Sequence, residues 1–158
     1  TVLFVGLALV LGSTVGTSQT PAPGPHAVLS PDALQWGPPP PGLPAGGQVA
    51  VLAGDPGKAG EMFALRVKMP AGYKVLPHWH PGDEHITILQ GALMVGMGET
   101  FDTSKMSTMS VGSYAVMPKE MPHYVEARGA TVLQITGIGP FGITYVKASD
   151  DPRKPTSN

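Results

Sequence analysis

Three histidines and one glutamate fall within eight residues, in the run His78-Trp79-His80-Pro81-Gly82-Asp83-Glu84-His85. Imidazole and carboxylate together suit divalent first-row metals, Fe, Mn, Zn, Ni or Cu, and ligand type alone does not choose among them. Spacing decides whether these side chains can meet. In an extended strand successive side chains alternate between faces, so His78 and His80 share one. Pro81-Gly82 then has the composition of the central pair of a type II turn, Pro with φ preset and Gly free to take φ > 0. A hairpin there brings Glu84 beside the His pair. With Glu84 inward, Ile86 and Ile88 also face inward and His85 faces away. A fourth ligand has to come from elsewhere, and His123 is the only other His in the strand-forming region. The competing reading is a solvated hairpin whose His pair faces water. The chain has no Cys, so no disulfide is available, and a metal site must draw on His, carboxylate or Met.

Other polar groups compete for roles. Asp83 is the rival carboxylate, placed where it would cap the turn. Tyr114 and Gln134 fall on strands expected to border the site. Strand parity leaves their facing open, so proton transfer and outward packing both stand. His26 lies in a Pro-rich segment and is expected to be solvated. Eight Met raise the thought of Cu(I), but most lie in or beside strands, where core filling is the default. Only Met106, Met109 and Met121 are expected in loops or turns.

The elements that must position these residues are strands. Gly and Pro number 21 and 18 of 158 residues, about a quarter of the chain and roughly twice the average share. Both are poor helix formers. A disordered chain would be poor in apolar residues and rich in charge, whereas this one is 42% hydrophobic and 13% charged. Residues 21–47 alone hold 9 Pro and 5 Gly, a composition for an arm that no sheet interior accepts. Beyond it, short apolar or alternating runs are bounded by Gly, Pro or Asp. Strands are expected at 48–53, 61–69, 74–79, 84–90, 92–96, 113–117, 122–127, 131–136 and 142–147, with a short edge strand within 28–36. Residues 99–110 read as a polar surface loop and 149–158 as a polar tail. The expected class is all-β, a sandwich or barrel.

Net charge is −1, and without a basic stripe no nucleic acid is expected as a partner. Residues 2–11 are ten almost wholly apolar residues. That is too short for a bilayer span, which needs about 20, and right for the apolar region of a secretory signal. Residues 1–18 are therefore expected to be a truncated signal peptide, and 19–47 a linker and N-terminal arm. The protein is expected to be exported, periplasmic or extracellular, with no membrane span in its mature form.

The two His-bearing regions resemble the motifs of the cupins. The first motif reads Gly72-YKVLP-His78-W-His80-PGD-Glu84-HITILQ-Gly91, with every fixed position matched. The second reads Gly112-SYAVM-Pro118-K-Glu120-MP-His123-YVE-Ala127, with Glu120 in place of a Gly and Ala127 in place of an Asn. Segments such as LQWGP and GIGPFGITYV are also similar to a group of exported bacterial single-domain cupins. The resemblance covers about residues 48–147 and implies a cupin domain at 48–148. It implies a jelly-roll β-barrel, commonly a homodimer, with one divalent transition metal held by His78, His80, Glu84 and His123. The expectation that follows is a metal-dependent enzyme, an oxygenase, isomerase or lyase, on a small oxygenated organic molecule. The alternative is a non-catalytic protein that binds or senses a small ligand or metal. Glu120 stands where Gly permits φ > 0, so its turn is expected to take another shape or carry strain.

Overall fold

Alternation of apolar and polar residues builds the barrel wall. Along Met62–Met69, Phe63, Leu65, Val67 and Met69 are buried while Arg66 and Lys68 lie on the other face, as period-2 geometry requires. A computed structural model describes residues 28–154 and forms ten strands there. In chain order they are β1 (Gln48–Ala53), β2 (Met62–Met69), β3 (Lys74–Trp79), β4 (Glu84–Gln90), β5 (Ala92–Met97), β6 (Ser107–Ser110), β7 (Tyr114–Met117), β8 (His123–Ala127), β9 (Thr131–Ile138) and β10 (Thr144–Tyr145). They pair antiparallel in two five-stranded sheets, ordered β1-β2-β9-β4-β7 and β10-β3-β8-β5-β6. Apart from β1–β2 and β5–β6, each connection crosses from one sheet to the other. The inner faces meet in one apolar core that includes Phe63, Val67, Ile88, Leu93 and Leu133. This is an all-β jelly-roll barrel. No helix among the described residues is long and apolar enough to cross a membrane.

Several expectations need correction. Residues 28–36 form no strand; Pro31–Ala33 makes a single 3-10 turn, and the arm instead joins the β1 edge through a bridge from Gly37 to Val49. Pro31 and the proline run at 38–41 leave too few N–H groups for longer pairing. The 99–110 segment is not wholly a loop. It holds a 3-10 turn, Thr103–Lys105, and then β6, which pairs with β5; Met109 is buried there. Alternation over four residues of Ser, Thr and Met is too short a signal for sequence reading. The strand expected at 142–147 shrinks to Thr144–Tyr145. The tail is partly folded: Arg153 pairs with Asp151 at 2.8 Å and donates to the Ile143 carbonyl at 3.0 Å. The expected signal at 1–18, the start of the arm and residues 155–158 lie outside the described residues.

The arm is tied to the barrel by phenols. The Tyr145 hydroxyl donates to the Gly42 carbonyl at 2.9 Å, and the Tyr73 hydroxyl donates to that of Pro44. Lys68 places its ammonium 4.0 Å from the Trp36 ring centroid, a cation–π contact.

One close approach fixes the wall beside His123. Gly96 lies opposite Tyr124, and a Cβ on Gly96 would sit 2.2 Å from the Tyr124 ring. Tyr124 is fully buried although it points away from the barrel axis, because Phe101 packs on it and its hydroxyl donates to the Asp102 carbonyl at 3.1 Å. Gly96→Ala is expected to cost roughly 1–3 kcal/mol by overpacking, read as a lower urea midpoint. An unchanged midpoint would show that the Tyr124 ring moves freely.

Candidate metal centre

The facing of the His pair depends on one extra residue. Val75 is buried in the core, and strict alternation from it would carry Pro77 and Trp79 inward and turn His78 and His80 outward. Pairing of β3 with β8 runs Val75↔Val125 and then His78↔His123, three steps along β3 against two along β8. That is a β-bulge, and it reverses the parity. Pro77 lies within it, where a missing N–H is tolerated. His78 and His80 thereby face the interior with Val75.

The carboxylate arrives from the other sheet. The expected hairpin at Pro81-Gly82 is not formed, since β3 and β4 belong to different sheets, and Gly82 is not among the glycines with positive φ. The connection is a corner rather than a type II turn. Gly82 serves there for close approach: a Cβ would stand 3.2 Å from the Ile138 carbonyl oxygen. Glu84 opens β4 with Ile86 and Ile88 buried on the same face. Its Oε2 lies 3.3 Å from His123 Nε2 and 3.6 Å from His80 Nε2. The nitrogen atoms that His78, His80 and His123 offer all lie within 4.8 Å of one another. All four residues are between 1% and 5% exposed.

Each imidazole is held from behind. Nδ1 of His78 faces the Leu76 carbonyl at 2.7 Å, that of His80 the Gly142 carbonyl at 2.7 Å, and that of His123 the Met121 carbonyl at 3.0 Å. A carbonyl only accepts, so each Nδ1 carries the hydrogen and each Nε2 keeps its lone pair. Phe141 stacks on the His80 ring with centroids 4.4 Å apart. Nε2 of His80 and of His123 are buried without a hydrogen-bond partner, which is costly in an apolar interior unless something binds them. The donor set, its tautomers and its spacing fit one divalent ion.

A cavity of about 1060 Å³ opens from these four side chains, bounded by apolar core residues, by Leu43 of the arm and by the β1–β2 loop.

Residues 65–138 match the cupin domain family. The fold is shared with a polyketide cyclase, RemF, from Streptomyces resistomycificus, at 15% identity and TM-score 0.65 over 81% of this chain and 90% of that one. An RmlC-like cupin from Shewanella frigidimarina is similar at 12% identity and TM-score 0.56, over 72% and 90% of the two chains. KdgF from Halomonas sp. is similar at 22% identity and TM-score 0.54, over 72% and 94%. No curated protein matches the sequence. Residues 65–138 form a cupin domain.

The cupin domain keeps the motif geometry where its residues depart. Glu120 takes φ 59°, the left-handed conformation that Gly adopts freely, so the turn shape is retained and the strain is real. Ala127 is fully buried in the core. The remaining sequence candidates lie elsewhere. His85 and Tyr114 hydrogen-bond to each other on the outer face, and Gln134 accepts from Arg66 at 3.3 Å, also outside. Asp83 accepts the Lys119 N–H at 2.8 Å and caps the facing turn. His26 lies outside the described residues. Sequence reasoning missed the three carbonyls, Phe141 and the arm's share of the cavity. A carbonyl leaves no residue-type signal, whereas the aromatic in Gly139-Pro140-Phe141-Gly142 was available to it.

Electrostatics favour neutral imidazoles beside a carboxylate. Burial, with His123 and His80 nearby, pushes His78 down to about 3. Burial also lowers His80, against the pull of Glu84 and the Gly142 carbonyl. Burial would raise Glu84, but the closeness of His123, His80 and His78 outweighs this and holds it below the ordinary carboxylate range. These are the protonation states a metal requires. An ordinary histidine titrates near 6.5, so between pH 6.5 and about 3 the unfolded chain binds a proton that the metal-free folded chain refuses. Stability is therefore full above pH 6.5 and falls as pH drops, by about 1.4 kcal/mol per pH unit for such a group. Chelator-treated protein is expected to melt several degrees lower at pH 5 than at pH 7.5. The His78→Ala variant should lose part of that slope, and a flat wild-type profile would contradict the assignment.

Proposed function

We propose that this cupin binds one divalent transition metal through His78, His80, His123 and Glu84, and acts as a metal-dependent enzyme on a small oxygenated organic molecule. The observation that carries the reading is the pair of buried, unpartnered Nε2 atoms on His80 and His123, each on a ring whose Nδ1 is committed to a carbonyl. A divalent ion held by these four residues would act as a Lewis acid, polarising an oxygen of a substrate or lowering the pKa of water. The chain's own part is to fix the three imidazoles through their Nδ1 bonds, to keep His78 and His80 neutral and Glu84 ionised, and to surround the site with an apolar wall. The class of reaction, as oxygenase, isomerase or lyase, is part of the proposal.

A specific observation favours the second reading, a binding or sensing protein. Beyond the four named, the charged side chains that line the cavity are Asp55, Lys58 and Glu61 of the β1–β2 loop, with Lys58 and Glu61 paired to each other; His85, Tyr114 and Gln134 are all outside. In either reading we propose an exported protein and a homodimer, to be checked by the N-terminal residue of the mature chain and by its mass in solution.

Untagged protein is expected to carry about one transition-metal ion per chain. His80→Ala and His123→Ala should bring that below about a tenth, while His85→Ala leaves it unchanged, by elemental analysis of folded samples. Equal losses from all three, or wild-type content near zero after both aerobic and anaerobic purification, would remove the site.

A further inference from the structure

The four site residues sit at one end of a cavity whose other walls are almost free of polar side chains. Next to them Ile86 faces Ile135 across β4 and β9, and Val75 faces Val125 across β3 and β8. All four line the cavity, and Leu93 and Leu133 extend the same apolar wall. The charged residues on the remaining lining are Asp55, Lys58 and Glu61, in the β1–β2 loop. Each is engaged already: Lys58 pairs with Glu61 at 2.8 Å, and the Asp55 carboxylate accepts the Gly57 N–H at 2.8 Å. The strands that carry these walls, β3, β4, β8 and β9, each lie between two partners and commit their backbones to ladders. A ligand hydroxyl lying along these apolar walls would leave water and find no partner. A methylene or ring in the same place gains by leaving water.

Resting on the metal reading above, we propose that the site takes a molecule with one metal-chelating pair of oxygens and an uncharged apolar body, and discriminates against sugars and polyols. The oxygen pair is received at the ion beside Glu84. The apolar body lies along the Ile86, Ile135, Val75 and Val125 walls, toward Leu43 of the arm.

Three α-hydroxy acids share one chelating head and test the rest: lactate, 2-hydroxyhexanoate and gluconate. The full chain is loaded with Zn²⁺, its zinc content is measured first, and each acid is titrated by calorimetry. 2-Hydroxyhexanoate is expected to bind at least about tenfold tighter than lactate, and gluconate, which has the same chain length as 2-hydroxyhexanoate, no tighter than lactate. Val125→Thr should reduce the advantage of 2-hydroxyhexanoate several-fold without changing zinc content. With zinc bound, equal affinities for the three acids, tightest binding of gluconate, or no binding of any acid would overturn the inference and leave the metal reading standing. Zinc content near zero would overturn both.

Discussion

Three buried imidazoles, each with Nδ1 bonded to a main-chain carbonyl, are the constraint around which the structure is arranged. A buried imidazole needs a partner for its N–H, and a carbonyl fixes both the tautomer and the ring plane. The three carbonyls come from separate places: Leu76 in β3, Met121 in the turn before β8, and Gly142 between β9 and β10. Those of Leu76 and Met121 lie two residues before the rings they hold, whereas that of Gly142 reaches His80 from 62 residues along the chain. The site is a property of the closed barrel, and Glu84, from the opposite sheet, completes it across the gap. The same arrangement leaves bare acceptors at the centre, a cost the fold carries in the absence of an ion and one that binding an ion would relieve.

Much of this was legible in the residues and some of it was not. Period 2 put His78 and His80 on one face and Glu84 with Ile86 and Ile88 on another, because alternation is a property of any strand. It could not say which face was inward. That is decided by the bulge between Val75 and His78, a long-range register event in which β8 counts two residues against three. Nor could it place β3 and β4 in different sheets, since Pro81-Gly82 has the composition of a hairpin turn as well as of a corner. β6 escaped notice because its four residues carry a single buried side chain, Met109. The arm read as a linker for want of any pattern in its prolines. Its position is set by two phenols, Tyr73 and Tyr145, that lie far along the chain.

The arm also changes what the cavity can be. A barrel open at the β1 edge would expose Val49 and Val51 to water along its length. Leu43 and the bridge at Gly37 cover part of that edge, and Val51 stays 37% exposed at the mouth. Tyr145 sits opposite His78 in the β10–β3 pair while its hydroxyl holds Gly42. The strand that carries a candidate ligand and the segment that borders the mouth therefore share one anchor.

The turn that contains Glu120 has a role its sequence alone does not suggest. A non-glycine residue in the left-handed region carries a penalty of roughly 1–2 kcal/mol, and such a conformation persists only where its surroundings over-determine it. Here the Glu120 N–H donates to the His80 carbonyl at 2.8 Å, and the Met121 N–H closes the turn on Pro118. The Met121 carbonyl then receives His123 Nδ1–H. One short turn thus fixes the backbone of one candidate ligand and the ring of another. Straightening Glu120 would release its strain and at the same time move His80 and His123 apart. The strain is located between two of the residues whose mutual distance the site depends on, which is where a rigid turn has most to contribute.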